Sequence, residues 1–154
     1  MAFHNPDSFL DQFGRNKVLL AALLAWAVAQ SLKMILGVIR EKRFNFRWLM
    51  TSGGMPSSHV SMSMSLTTAC GLTYGFDSGI FAVSLGFATI TMFDAQGIRR
   101  HSGRQAKLLN KIVDDIYAHK AVEEARVKEL LGHTPVEVFA GGALGILIAI
   151  IFYA

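Results

Sequence analysis

Two short clusters carry residue types whose spacing suits chemistry. The first is Gly53-Gly54-Met55-Pro56-Ser57-Ser58-His59, placed where a basic stretch from Arg40 to Arg47 meets a long apolar segment. Glycines let backbone N–H groups converge on an anion, and the helix that follows adds the positive end of its dipole. Pro56 suits the first turn of that helix, while Ser57 or Ser58 can cap it or bond an anion's oxygen. His59 then stands in the first turn as a proton donor. The competing reading is a Gly-Pro-Ser turn that caps a membrane helix, with His59 a polar residue at the interface. The cost of a histidine at that depth favours function.

The second cluster is Gly132-His133-Thr134-Pro135-Val136-Glu137, followed by Gly141, Gly142 and Gly145. Thr134 as N-cap, Pro135 at the first helical position and Glu137 at the third form a capping box, in which Glu137 bonds only the backbone of Thr134. His133 and Glu137 are also four apart, so the carboxylate can instead reach the imidazole. A carboxylate on one ring nitrogen sets the tautomer and leaves the other as nucleophile or base. The spacing leaves both readings open. Each cluster puts a histidine at the N-terminal mouth of an apolar helix, on the same expected membrane face. Two histidines, a carboxylate, a Gly/Ser loop and nearby arginines are the parts for metal-free phosphoryl transfer. One imidazole attacks phosphorus, the other protonates the leaving oxygen, and cations stabilise the equatorial oxygens.

Pro56-Ser57-Ser58-His59 resembles the Pro-Ser-Gly-His motif of the type 2 phosphatidic acid phosphatase (PAP2) superfamily. Gly132-His133-Thr134-Pro135-Val136-Glu137-Val138, followed by Ala140-Gly141-Gly142, resembles its third motif, a histidine followed four residues later by an aspartate. The whole pattern, with Asp94-Ala95-Gln96-Gly97-Ile98-Arg99-Arg100, is similar to the divergent PAP2 family, relatives of acid phosphatases and vanadium haloperoxidases. The resemblance runs from about Gln30 to Gly145. It implies that His133 is the nucleophile, Glu137 its orienting carboxylate and His59 the general acid. Ser57, Ser58 and the Gly53-Gly54 backbone would hold phosphate. Four departures stand out. Ser58 replaces a glycine, and Glu137 replaces the aspartate. The first motif, a lysine and an arginine seven apart before a proline, is read here as Arg40 and Arg47 followed by Trp48. No Ser-Arg pair precedes His133, where Val127 and Lys128 occur, and Arg99 and Arg100 are candidates for the missing cation.

These residues need elements to position them. The chain has 154 residues, the length of one average domain, and 52% are hydrophobic. Four apolar segments, 18–39, 60–76, 78–94 and 136–153, are expected to be helices that span a membrane, which takes roughly 17–25 residues each. Small residues in the second and fourth (Ser61, Ser63, Ser65, Ala69, Gly71; Gly141, Gly142, Gly145) let helices approach closely and place these two at the packed centre. A buried soluble bundle is the weaker alternative. The polar stretch 95–135 carries Leu108, Leu109, Ile112, Ile116, Val127, Leu130 and Leu131 at roughly helical spacing, as expected of amphipathic helices at the interface.

The net charge of +4 is unevenly placed. It concentrates in the loops around Arg40–Arg47 and Arg99–Lys111, which suits anionic headgroups or phosphates and gives no nucleic-acid readout surface. The same bias favours a cytoplasmic position for these loops. The single cysteine, Cys70, excludes an internal disulfide framework and a Cys-based zinc site, and reads as a small core residue. No removable signal peptide is expected from Met1 to Phe13. Lys33 and Gln30, one turn apart, can snorkel or touch phosphate. Asp94 can pair with Arg99 or cap a helix. His4, His101 and His119 read as solvated, and Met55, Met62 and Met64 as packing.

The expectation is therefore an all-α integral membrane bundle with a PAP2-like core, a single domain over 1–154, with about four transmembrane helices plus interfacial ones. It is expected in the cell (plasma or inner) membrane. Its expected activity is metal-independent hydrolysis of a lipid phosphate or polyprenyl diphosphate through a phosphohistidine. The expected phosphate contacts are Gly53, Gly54, Ser57, Ser58, Arg40, Arg47, Lys33, Arg99 and Arg100. No cofactor and no metal is expected, the partners are membrane lipids, and a homodimer is left open. The rival is a non-catalytic protein that binds or transports anionic lipid with the same fold; a helical scaffold without ligand is third.

Overall fold

The computed structural model describes residues 8–42, 54–96, 105, 108–113 and 133–154, with 40 and 41 as backbone only. Among these, every regular element is a helix: α1 (Phe9–Arg15), α2 (Lys17–Glu41), α3 (Ser58–Tyr74), α4 (Gly79–Gln96) and α5 (Pro135–Tyr153). Local chemistry sets their ends. Ser8 and Asp11 form a capping box that starts α1. The side chain of Asn16 accepts from Leu19 N–H at 3.0 Å and starts α2. Gly75, at φ +91°, stops α3, and Ser78 Oγ accepts from Phe81 N–H at 3.2 Å to start α4.

Helices α3 and α5 run parallel in contact along their length, with α2 and α4 antiparallel beside them. The packing is inverted relative to a soluble core. Ala21, Ala22, Ala25 and Ala29 of α2, Ala69 of α3, Ala88 of α4 and Ala149 of α5 are fully buried. Meanwhile Phe93 is 73% and Ile90 69% exposed, and Phe87, Phe139 and Ile151 are exposed too. Water would not tolerate that apolar surface, whereas lipid would, and small residues inside are what helices use to pack where solvent supplies no hydrophobic drive. The soluble-bundle alternative is disfavoured on this ground.

The closest approach is between α3 and α5. A Cβ on Gly141 would come within 2.5 Å of the Ser57 carbonyl oxygen, and one on Gly145 would run into the Ser61 carbonyl oxygen. Gly141 and Gly145 thus form a small-xxx-small seam on which α3 rests. Toward α2, Ser65 Oγ donates to the Ala21 carbonyl at 3.0 Å and Ser61 Oγ to the Ala25 carbonyl at 3.3 Å. Toward α4, Thr67 Oγ1 donates to the Ser84 carbonyl at 3.0 Å.

These contacts account for a difference from the expected four spans. Among the described residues, three helices, Lys17–Ile39 within α2, α4 and α5, are long and apolar enough to cross a membrane on their own. Helix α3, at 17 residues and rich in Ser and Thr, is not among them. Its polar side chains bond to the helices around it, so it has no need to be apolar all round. In the expected interfacial stretch, residues 108–113 are helical, with Leu108, Leu109 and Ile112 exposed. Ile116, Val127, Leu130 and Leu131 lie outside the described residues.

Candidate active site

At the end of the bundle where α3 and α5 begin, the positive ends of two helix dipoles point the same way. Two backbone bonds tie this mouth together. Ser57 N–H donates to the Glu137 carbonyl at 3.1 Å, joining the starts of α3 and α5, and His133 N–H donates to the Ala95 carbonyl at 3.2 Å, joining α5 to the end of α4.

The two sequence readings of Glu137 hold together. Its Oε2 accepts from Thr134 N–H at 3.1 Å, and Thr134 Oγ1 accepts from Glu137 N–H at 3.4 Å, which completes the capping box. The same Oε2 lies 3.1 Å from His133 Nδ1. An ionised carboxylate only accepts, so for the neutral imidazole Nδ1 carries the proton and Nε2 the lone pair. His133 is 2% exposed and is among the largest fully enclosed side chains of the described molecule. Capping holds Glu137 rigid, and a rigid Glu137 sets the histidine's tautomer.

Across the mouth, Ser57 is 0% and Ser58 1% exposed. Neither hydroxyl has a hydrogen-bond partner among the described residues. Leaving a buried hydroxyl unsatisfied costs roughly 1–3 kcal/mol, so two adjacent ones mark a place where a polar ligand would be welcome. One sequence expectation is corrected here: Pro56 lies before the helix, since α3 begins at Ser58. Ser57, for which capping and an anion contact were both open, occupies the N-cap without making a side-chain cap bond. The reason is that Ser57 is pinned through its backbone to Glu137, which leaves its hydroxyl uncommitted.

Lys33 arrives from α2. It is 7% exposed. Its stem packs against Gly54, where a Cβ would lie 3.5 Å from Lys33 Cγ, and Gly54 itself holds a left-handed φ of +88°. The ammonium is within electrostatic reach of Glu137. Burial of a lysine is expensive, and this one is enclosed with its stem against a glycine turn. Lys33 also stands seven residues, two helical turns, before Arg40 on the same helix. That is the lysine–arginine spacing expected of the first motif, so α2 supplies a better fit to it than Arg40 with Arg47. The sequence signal was present in that spacing; what hid it was the apolar context, which made Lys33 look like a snorkelling residue.

The structure thus brings His133, Glu137, Ser57, Ser58, Gly54 and Lys33 to one mouth. His59 stands on the first turn of α3 but is exposed. Arg40 is helical in its backbone, and its side chain lies outside the description, as do Gly53, Arg47, Arg99 and Arg100. Among the described residues no three His, Cys, Asp or Glu side chains converge as a metal site requires. The chemistry on hand is an oriented imidazole, a buried cation and hydroxyl donors at two helix N-termini.

A model of the Divergent PAP2 family matches residues 14–148. The chain is 43% identical over 147 residues to "Uncharacterized membrane protein YuiD" of Bacillus subtilis (strain 168), a match covering 88% of this chain and 93% of that protein. No solved structure matches the chain. The family match covers most of the chain, including both histidine clusters, and the bundle carries helices fit to cross a membrane: this is a membrane protein that belongs to the divergent PAP2 family.

Proposed function

We propose that the chain is a metal-independent phosphatase acting on a lipid phosphate or diphosphate. The observation that carries the reading is the double use of Glu137 Oε2, which caps α5 and holds His133 Nδ1 at once. An imidazole held in one tautomer beside two uncommitted buried hydroxyls and a lysine has the makings of a phosphoryl acceptor site. In the first step His133 Nε2 attacks phosphorus and the bond from phosphorus to the lipid oxygen breaks. The leaving oxygen takes a proton from His59. In the second step water, deprotonated by His59, attacks the phosphohistidine; the phosphorus–nitrogen bond breaks, and inorganic phosphate leaves. Lys33, Arg40, Arg47, Arg99 and Arg100, the Ser57 and Ser58 hydroxyls and the Gly53-Gly54 backbone counter the charge on the equatorial oxygens.

An amphiphilic substrate follows from the setting. Its headgroup enters the mouth of α3 and α5 while its tail remains in lipid, a geometry that suits phosphatidate-type lipids and polyprenyl diphosphates. The basic loops next to the mouth support a cytoplasmic face of the cell membrane. The second reading, an anionic-lipid binding or transport protein, is favoured by one observation, the exposure of His59.

Phosphate release from a panel of lipid phosphates and diphosphates, in detergent with EDTA, separates the two. The phosphatase reading requires turnover that vanadate inhibits and that His133→Ala and His59→Ala abolish. Turnover retained by both variants sinks the two-histidine mechanism. Saturable lipid binding without turnover on any substrate establishes the second reading.

A further inference from the structure

An apolar cleft of about 610 Å³ runs between α3 and α4, lined among others by Leu66, Cys70, Gly79, Val83, Ser84 and Phe87. Small residues open it. Gly79 has clear space where a side chain would stand, while Val83 and Phe87 rise beside it and are exposed. The two helices are clasped next to the cleft by Thr67 Oγ1, which donates to the Ser84 carbonyl at 3.0 Å. The Ser84 hydroxyl turns back to the Phe81 carbonyl at 2.8 Å. The hydroxyl in the described lining is therefore already committed, and the rest of that lining offers contact to hydrocarbon.

The cleft leads away from the candidate active site along the two helices that meet there. Helix α3 begins at that site, and the last turn of α4 is bonded to it through His133 N–H and the Ala95 carbonyl. Leu66 and Cys70 follow His59 by seven and eleven residues, whole numbers of turns, so all three share one face of α3. His59 thus stands on the cleft side of α3, which gives its exposure a use. A leaving oxygen whose tail runs into the cleft would pass it. Depth agrees with this. At 1.5 Å per residue, Leu66 lies about 12 Å and Cys70 about 18 Å along α3 from Ser58. In a hydrocarbon core of roughly 30 Å, that is the middle of the membrane. A headgroup at Ser57 and Ser58 would send the far part of its tail to that depth.

We propose that the α3–α4 cleft seats the far end of the hydrocarbon tail of the lipid phosphate whose headgroup occupies the candidate active site. The proposal rests on the phosphatase reading for where the phosphate sits, and adds a selection on the tail. A tail that enters the cleft leaves lipid and not water, so it gains close contact with Leu66, Val83 and Phe87 and little from apolarity itself. Reach and shape are then what the cleft selects. A tail long enough to arrive at Leu66 is held, and a short one is not. Contact made so far from phosphorus serves to hold the headgroup in place at the reacting end.

Photo-cross-linking in detergent tests it, with a phosphatidic acid that carries a diazirine at the methyl end of a long acyl tail. Mass spectrometry of the labelled peptides should place the label on residues 66–70 and 79–87. Phosphatidylcholine bearing the same tail should label them severalfold less, since its headgroup is not drawn to the site. Gly79→Phe and Val83→Trp each fill the cleft from a position with room for the new ring, and each should cut the label about fivefold. Far-UV circular dichroism establishes that both variants keep their helices. Phosphate release is followed on the same samples, so the two readings fail separately. Label confined to the cleft without turnover supports the tail seat and removes the phosphatase reading. Turnover with label spread over the whole lipid-facing surface overturns the tail seat alone. It is also overturned if phosphatidylcholine labels the cleft equally, or if both folded variants keep the wild-type label.

Discussion

The two ends of the parallel α3–α5 pair are fastened in different ways. At the start of the pair the link is backbone to backbone, Ser57 N–H to the Glu137 carbonyl, with glycine at 141 admitting the contact. The hydroxyls of Ser57 and Ser58 are left over and buried. At the far end the link is side chain to side chain, Thr73 to Tyr153, at an exposed groove. A backbone link leaves the side chains uncommitted; a side-chain link commits them in part. The first arrangement suits a site that must offer donors in a tight, dry space. The second leaves an open groove whose hydroxyls are partly used by each other.

The largest effect should come from the enclosed end. His133→Ala is expected to lower phosphate release by a thousandfold or more, about 4 kcal/mol of barrier, whereas Asp77→Asn, in the turn at the far end, should leave it within about twofold of wild type. Steady-state release assays compare the two directly, and equal losses would mean that the ends are not functionally distinct. Next, Lys33→Met should reduce kcat/KM by about a hundredfold, or roughly 2.7 kcal/mol. The protein should stay folded, since the methionine stem can pack against Gly54 as the lysine does.

The seam comes third. Gly145→Ala forces a methyl into the Ser61 carbonyl and should destabilise by about 1–3 kcal/mol. Gly86→Ala on α4, with open space around it, should be neutral or stabilising by up to about 1 kcal/mol. Thermal unfolding in detergent reads both, and an insensitive Gly145 would show that the α3–α5 approach is not as close as described. The smallest effect belongs to the far end. Thr73→Val removes one hydrogen bond and should cost only about 0.6 kcal/mol, the usual worth of such a bond between membrane helices. A loss several times larger would make that end as rigid as the first.

Much of this could be read along the chain. Apolar runs marked α2, α4 and α5, and the family motifs marked the two histidine clusters. Thr134, Pro135 and Glu137 announced a capping box, and the box is there. His133 and Glu137, four apart, were within reach of each other on a helical start, and they meet. Each of these is a matter of neighbours within a turn or two, where helical geometry leaves few alternatives. Lys33 was harder. Its role depends on α2 passing the mouth of α3, and nothing within a few residues of it says so. The same holds for Ser57, whose uncommitted hydroxyl depends on a carbonyl 80 positions away in sequence.

The sequence alone therefore determined the helices, their caps, the small residues that let them touch and the family to which the chain belongs, because periodicity, capping and motif spacing are short-range properties. Only the tertiary structure decided which carbonyl each glycine would face, that α3 would be polar and yet enclosed, that a lysine would be buried within electrostatic reach of Glu137, and that His59 would stand exposed. Those outcomes depend on which helix faces which, and that choice is made by close packing between segments far apart in the chain.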